Sequence, residues 1–185
     1  MSNRHPLRLA PLPGTEWQEH TRAALASLIP PERAHPAGAG NVLSTLVRHP
    51  ELARAYLPFN AYLLKHSTLS PRIREVALLR VVHRRDCDYL WSHHLPIARS
   101  AGLTDGDIAA IRDGNLADVR PDLTDQAVLH AVDDLVDRGT ISTPVWNTLG
   151  RHLTDQQRMD LVFTVGGYEL LAMAVNTFGV EDEAQ

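Results

Sequence analysis

Glu75, Cys87 and His94 are the residues in this chain whose types and spacing suit chemistry, and Cys87 is the only cysteine in the sequence. A carboxylate, a thiol and an imidazole together supply a proton relay or orienting group, a nucleophile and a base that titrates near neutral pH. His94 follows Cys87 by seven residues, close to two helical turns, so both side chains lie along one line of a helix and can face one pocket. Glu75 sits at the edge of an apolar run, where a carboxylate is costly unless it is paired or protonated. A short connection between the two segments makes it the natural third member. The opposing reading is that a lone cysteine is a small buried hydrophobe with no chemistry.

Around these three, Tyr89, Trp91 and His93 are the expected substrate-binding side chains. Core or subunit-contact packing is the alternative for the two aromatics, and a surface or structural place for His93, which points about 100° round the helix from His94. With Asp86 as helix N-cap, Cys87 falls in the first turn, where free amides and the positive dipole end favour a thiolate. Arg84 and Arg85 reinforce that effect, while Asp86 and Asp88 oppose it. His83 stands four residues before Cys87, but the break expected at Asp86 separates them, and no CxxC or HExxH run is present. Neither a metal nor a cofactor is expected.

The elements that must position these groups read as helices. Ser70–Pro71 is an N-cap followed by proline at the first helical position, and Val76 to Val82 is apolar nearly all round apart from Arg80, as a buried central helix is. The next helix runs from Asp86 to Ala101 with Gly102 beyond it. "TDGD" (104–107) opens a short helix that stops at Gly114, Thr124 opens another closed by Gly139, and "TPVWNTLG" (143–150) makes a third. "TDQQ" (154–157) caps a long apolar helix through Phe178. Upstream, 16–29 has helical spacing, 31–40 reads as loop, and 41–66 as two helices divided at His49–Pro50. Alternating period-two runs and hairpin turns are missing, so the expected fold class is all-α, a compact bundle of about 7–9 helices. The proline-rich residues 1–15 form an N-terminal arm, and 16–185 a single domain.

A net charge of −4, with 44% hydrophobic and 22% charged residues, describes an ordinary globular chain. No basic stripe marks a nucleic-acid partner. The expected partner is a small-molecule substrate. The first residues lack the apolar core of a secretion signal, and apolar runs are interrupted before membrane-spanning length, so a cytoplasmic location with no membrane partner is expected. The single thiol fits a reducing compartment.

The run E75-x11-C87-x-Y89-x-W91-x-x-H94, followed by "LPIARSAGLTDGDIAAI", resembles the carboxymuconolactone decarboxylase-like family, which includes the alkylhydroperoxidase D proteins. The similarity extends from the capped helix at Ser70 to "NTFGV" near the C-terminus. It implies an alkylhydroperoxidase D-like all-α fold assembled as a trimer or hexamer, with Glu75, Cys87 and His94 as catalytic residues. Alkylhydroperoxidase D proteins carry a second cysteine three residues after the first, preceded by histidine. Those positions are Leu90 and Tyr89 here, so a two-thiol cycle within one chain is ruled out. The resemblance thus leads to a cofactor-free enzyme of lyase or decarboxylase type that transfers protons on a small acid, lactone or enol. The alternatives are single-cysteine peroxide reduction with an external thiol, and a non-catalytic binding module.

Overall fold

The computed structural model describes residues 6–115 and 123–183. Among them every regular element is a helix: α1 Glu19–Ala23, α2 Pro36–Leu46, α3 Pro50–Lys65, α4 Pro71–Arg84, α5 Asp88–Ser100, α6 Asp105–Asp113, α7 Leu123–Arg138, α8 Thr143–Leu149 and α9 Asp155–Phe178, with 3-10 turns at Gly14–Glu16 and Pro31–Arg33. The all-α expectation is met. The chain divides into two compact units, one built from 6–66 with 174–183, the other from 67–173.

In the first unit Trp17, Leu25, Ile29, Val47, Ala53 and Leu57 form a core. The helix expected over 16–29 is α-helical only at Glu19–Ala23. Beyond it the hydrogen bonds tighten, as in Leu25 N–H to the Arg22 carbonyl and Leu28 N–H to that of Leu25, so the apolar residues turn inward on 3-10-like geometry instead. The expected loop over 31–40 is also partly helical, because Pro36 starts α2 and Gly40, at φ 75° and ψ 175°, interrupts it before Asn41. Of the N-terminal arm, the described part is pinned by Arg8 and Leu9 N–H groups donating to the Phe178 carbonyl.

The second unit is organised round α4, which packs on α5, α6 and α7. Ser70 caps α4 by accepting from the Ile73 N–H, and every residue from Glu75 to Val82 is buried. Such a helix has no polar face to spare, so Arg72 in its first turn and Arg80 within the buried stretch, two of its four arginines, are both paired. Arg72 bonds Asp125 at 2.8 Å and the Gly102 carbonyl at 2.9 Å, and meets Asp107 at 3.3 Å. Asp107 belongs to the capping box with Thr104 that starts α6. Arg80 pairs with Asp133 through Nε and Nη2 and donates Nη1 to the last carbonyls of α6, those of Ile111 and Arg112. Gly114 terminates α6 at φ 81°. Thr154 and Gln157 form the expected capping box at the start of α9.

Candidate active site

The α4–α5 corner fixes the site. Asp86 adopts φ +50°, its N–H bonds the His83 carbonyl, and the Cys87 N–H reaches back to the Val82 carbonyl. This paired pattern is a Schellman stop, with Asp in the left-handed position that glycine usually takes. Asp86 therefore ends α4 rather than capping α5, and the expected start of α5 is corrected by one residue: Cys87 itself is the N-cap, without a side-chain capping bond.

Inside this corner Glu75 and His94 meet. Glu75 is fully buried, and its Oε2 lies 3.0 Å from His94 Nδ1, while Oε1 accepts from Arg74 Nε at 3.3 Å. A carboxylate only accepts, so Nδ1 carries the proton and Nε2 presents its lone pair. Nε2 has no hydrogen-bond partner among the described residues. The imidazole is itself buried, with its ring edge-on to Tyr168 of α9 at 5.4 Å between centroids.

Cys87 is buried as well, and it lines a cavity of about 290 Å³ with Val82, His83, Asp86, Asp88, Trp91 and Arg112. Glu75 and His94 are not among the described lining residues. Burial pushes the Cys87 thiol up to about 11; the Leu90 amide opposes this and the Asp88 carboxylate adds to it. Proximity to a helix start thus does not give a thiolate here, because removal from water outweighs the dipole. His83 is shifted downward, chiefly by burial and then by the nearby Arg80 and Arg112 cations.

Of the three expected substrate-binding residues, Trp91 lines this cavity, with the Arg112 guanidinium 4.8 Å from its ring centroid and the His83 ring at 5.5 Å. Tyr89 and His93 instead stack on each other, centroids 3.9 Å apart, and His93 Nδ1 lies 2.8 Å from the Tyr89 carbonyl. Arg112 escaped sequence reasoning because it comes from α6, and nothing in local spacing ties it to Cys87. His83 carried a signal, its four-residue spacing from Cys87, but only as a metal ligand. No group of three His, Cys, Asp or Glu side chains among the described residues is placed to hold a metal ion.

Residues 50–132 match the model of the Carboxymuconolactone decarboxylase family. No functionally curated protein is significantly similar to the chain. Among solved structures, a protein of unknown function from Agrobacterium tumefaciens, described as a candidate antioxidant defence protein AhpD, superposes with a TM-score of 0.65 at 18% identity, over 75% of this chain and 94% of its own. The segment 50–132, which contains Glu75, Cys87 and His94, is similar to the carboxymuconolactone decarboxylase family, and the chain has an AhpD-like all-α fold.

Proposed function

We propose that the chain is a cofactor-free enzyme that moves protons on a small acid, lactone or enol, with the Glu75–His94 pair as its acid–base device. The observation that carries this is the buried 3.0 Å contact between Glu75 Oε2 and His94 Nδ1. Glu75 holds the imidazole in one tautomer and stabilises the imidazolium that forms when Nε2 takes a proton. In a decarboxylation the bond to the substrate carboxylate breaks, carbon dioxide leaves, and the electron pair stays behind as an enolate. The His94 imidazolium, formed when Nε2 takes the proton of the substrate's carboxylic acid, offsets the developing negative charge and then returns that proton to carbon. Cys87 serves as a neutral wall or S–H donor, in keeping with a thiol pushed up to about 11.

The test is turnover of β-keto acids and lactones by purified protein. Loss of turnover in His94→Ala together with retention in Cys87→Ala supports the reading; full activity in His94→Ala removes it.

A second reading, single-cysteine peroxide reduction, is favoured by the description of the Agrobacterium tumefaciens neighbour and by the position of Cys87 on a cavity wall. The thiolate would attack the peroxide, releasing an alcohol or water and leaving a sulfenic acid, which an external thiol reduces. The raised thiol weighs against it. Peroxide-dependent sulfenate at Cys87, with activity lost in Cys87→Ala, would move the assignment to this chemistry.

A further inference from the structure

Two charged side chains on the cleft beside Cys87 have no partner of opposite charge in the fold. Arg112, near the end of α6, lays its guanidinium 4.8 Å from the Trp91 ring centroid, and among the described residues its side chain makes no hydrogen bond or ion pair. The arginines of the two neighbouring helices behave differently: Arg72, Arg74, Arg80 and Arg84 of α4 and Arg99 of α5 each meet a carboxylate. Asp86 likewise has no side-chain hydrogen bond or ion pair among the described residues. The turn does not account for its acid. At φ +50° a glycine would serve with less strain, and the stop is closed by backbone bonds alone.

The two groups share one cavity of about 290 Å³, at the lower end of the range for small-molecule sites. They form no ion pair with each other, yet both act on His83, which lines the same cavity. Burial and the Arg80 and Arg112 cations push that imidazole down, and Asp86 pulls it up. His83 is thus uncharged at neutral pH and leaves Arg112 as the cation of the cleft. Asp88 also lines it, but has an interaction of its own within the chain. The remaining lining residues, Val82, Cys87 and Trp91, are buried and make an apolar wall.

A guanidinium with free donors suits a carboxylate, which it can grip through two parallel bonds. A free carboxylate suits an ammonium group. A plain anion in this cleft would add negative charge beside Asp86, and a plain amine would add positive charge beside Arg112. A molecule that carries both charges on a short hydrocarbon body meets neither objection.

We propose that the cleft beside Cys87 binds a small zwitterion, with its carboxylate on Arg112, its ammonium on Asp86 and its hydrocarbon part against Val82 and Trp91. This is independent of the chemistry assigned to Glu75 and His94, neither of which is among the described lining residues. Binding reads it without any turnover.

The test is isothermal titration calorimetry of the full chain at neutral pH and low salt with matched probes. L-leucine carries both charges, isocaproate lacks the ammonium, and isoamylamine lacks the carboxylate. δ-Aminovalerate, with valerate and amylamine as its halves, sets the charges further apart. In at least one series the zwitterion should bind about tenfold or more tighter than either half, as two charge-assisted contacts require. Arg112→Gln should bring that zwitterion down to the level of its amine and leave the amine unchanged. Asp86→Asn, which also tolerates a positive φ, should bring it down to the level of its acid and leave the acid no weaker. Both side chains are exposed, and circular dichroism should show the native helicity in each variant.

No gain of the zwitterion over its halves in either series would overturn the proposal, and so would the absence of binding by any probe. An acid that binds as tightly as the zwitterion would replace it with a simple anion site, and an amine that does so with a simple cation site. Zwitterion binding unaffected by Arg112→Gln or by Asp86→Asn would also overturn it.

Discussion

If Glu75 and His94 are energetic partners, the effect of Glu75→Gln on stability changes sign with the identity of residue 94. In the native background the substituted amide keeps the volume and an oxygen that accepts from Nδ1, and it removes a fully buried charge, so the cost should be about 0–1 kcal/mol. His94→Ala does the opposite. It strands the Glu75 carboxylate with Arg74 at 3.3 Å as its remaining ion partner, and it opens a hole in front of Tyr168. A broken buried pair costs about 3–5 kcal/mol, and the surviving Arg74 contact puts this case near the lower end. In that background Glu75→Gln relieves the stranded charge and should stabilise the protein by about 1–2 kcal/mol. The coupling between the two positions is then about 2 kcal/mol, roughly a 30-fold change in the folding equilibrium. Urea denaturation at neutral pH, followed by far-UV circular dichroism on all four proteins of the cycle, measures it, with an unchanged m-value as the control. Costs that simply add would refute the pairing, and with it the claim that Glu75 orients the imidazole.

Three further outcomes are expected. Cys87 should alkylate slowly with iodoacetamide at neutral pH, with a thiolate fraction of about one in ten thousand if the thiol sits at about 11, and its rate should climb with pH toward that value. Because this pKa is raised from 9.0 on folding, the stability it contributes is full below about pH 9 and is lost as pH rises through about 11; Cys87→Ala should flatten that alkaline slope. At the acid side, burial pushes the Asp107 carboxyl up, but the Thr104 amide and hydroxyl and the Arg72 guanidinium outweigh it and hold it below its usual value. Its contribution is present above the ordinary carboxylate range and lost as pH falls through the depressed value. Asp107→Ala should cost about 2 kcal/mol at neutral pH by thermal or urea melts, through the lost capping box and a weakened hold on Arg72, and should flatten the acid slope.

How far the sequence was legible follows from what each signal depends on. Ser70–Pro71, Thr104–Asp107, Thr154–Gln157 and the stop at Gly114 all act over a single turn, so their residues suffice to read them. Glu75 was legible as a buried carboxylate in need of a partner on the adjoining helix, where helical spacing aligned His94 with Cys87; the structure joins Glu75 to His94 but sets neither among the described residues of the cavity that Cys87 lines. The α5 start was misplaced because Asp86 is a good N-cap and also one of the few residues that tolerates a positive φ; the Schellman closure of α4 decides between those roles, and it depends on three-dimensional hydrogen bonding. The cavity wall was legible only in its local members. Arg112 arrives from α6 through tertiary packing, and the loss of water around Cys87, which sets its acidity, is a property of the assembled core.

The shortness of the α4–α5 corner has a kinetic consequence. Glu75 and His94 are only 19 residues apart, and the contact between them closes across a tight helical hairpin. Contacts of such low sequence separation pay little loop-closure entropy and form early when a chain collapses. The acid–base pair can thus assemble as a local event, before distant helices arrive to seal it. Substitutions far along the chain would then reduce the fraction of molecules that are folded more than they would distort the alignment of the two groups in those that are.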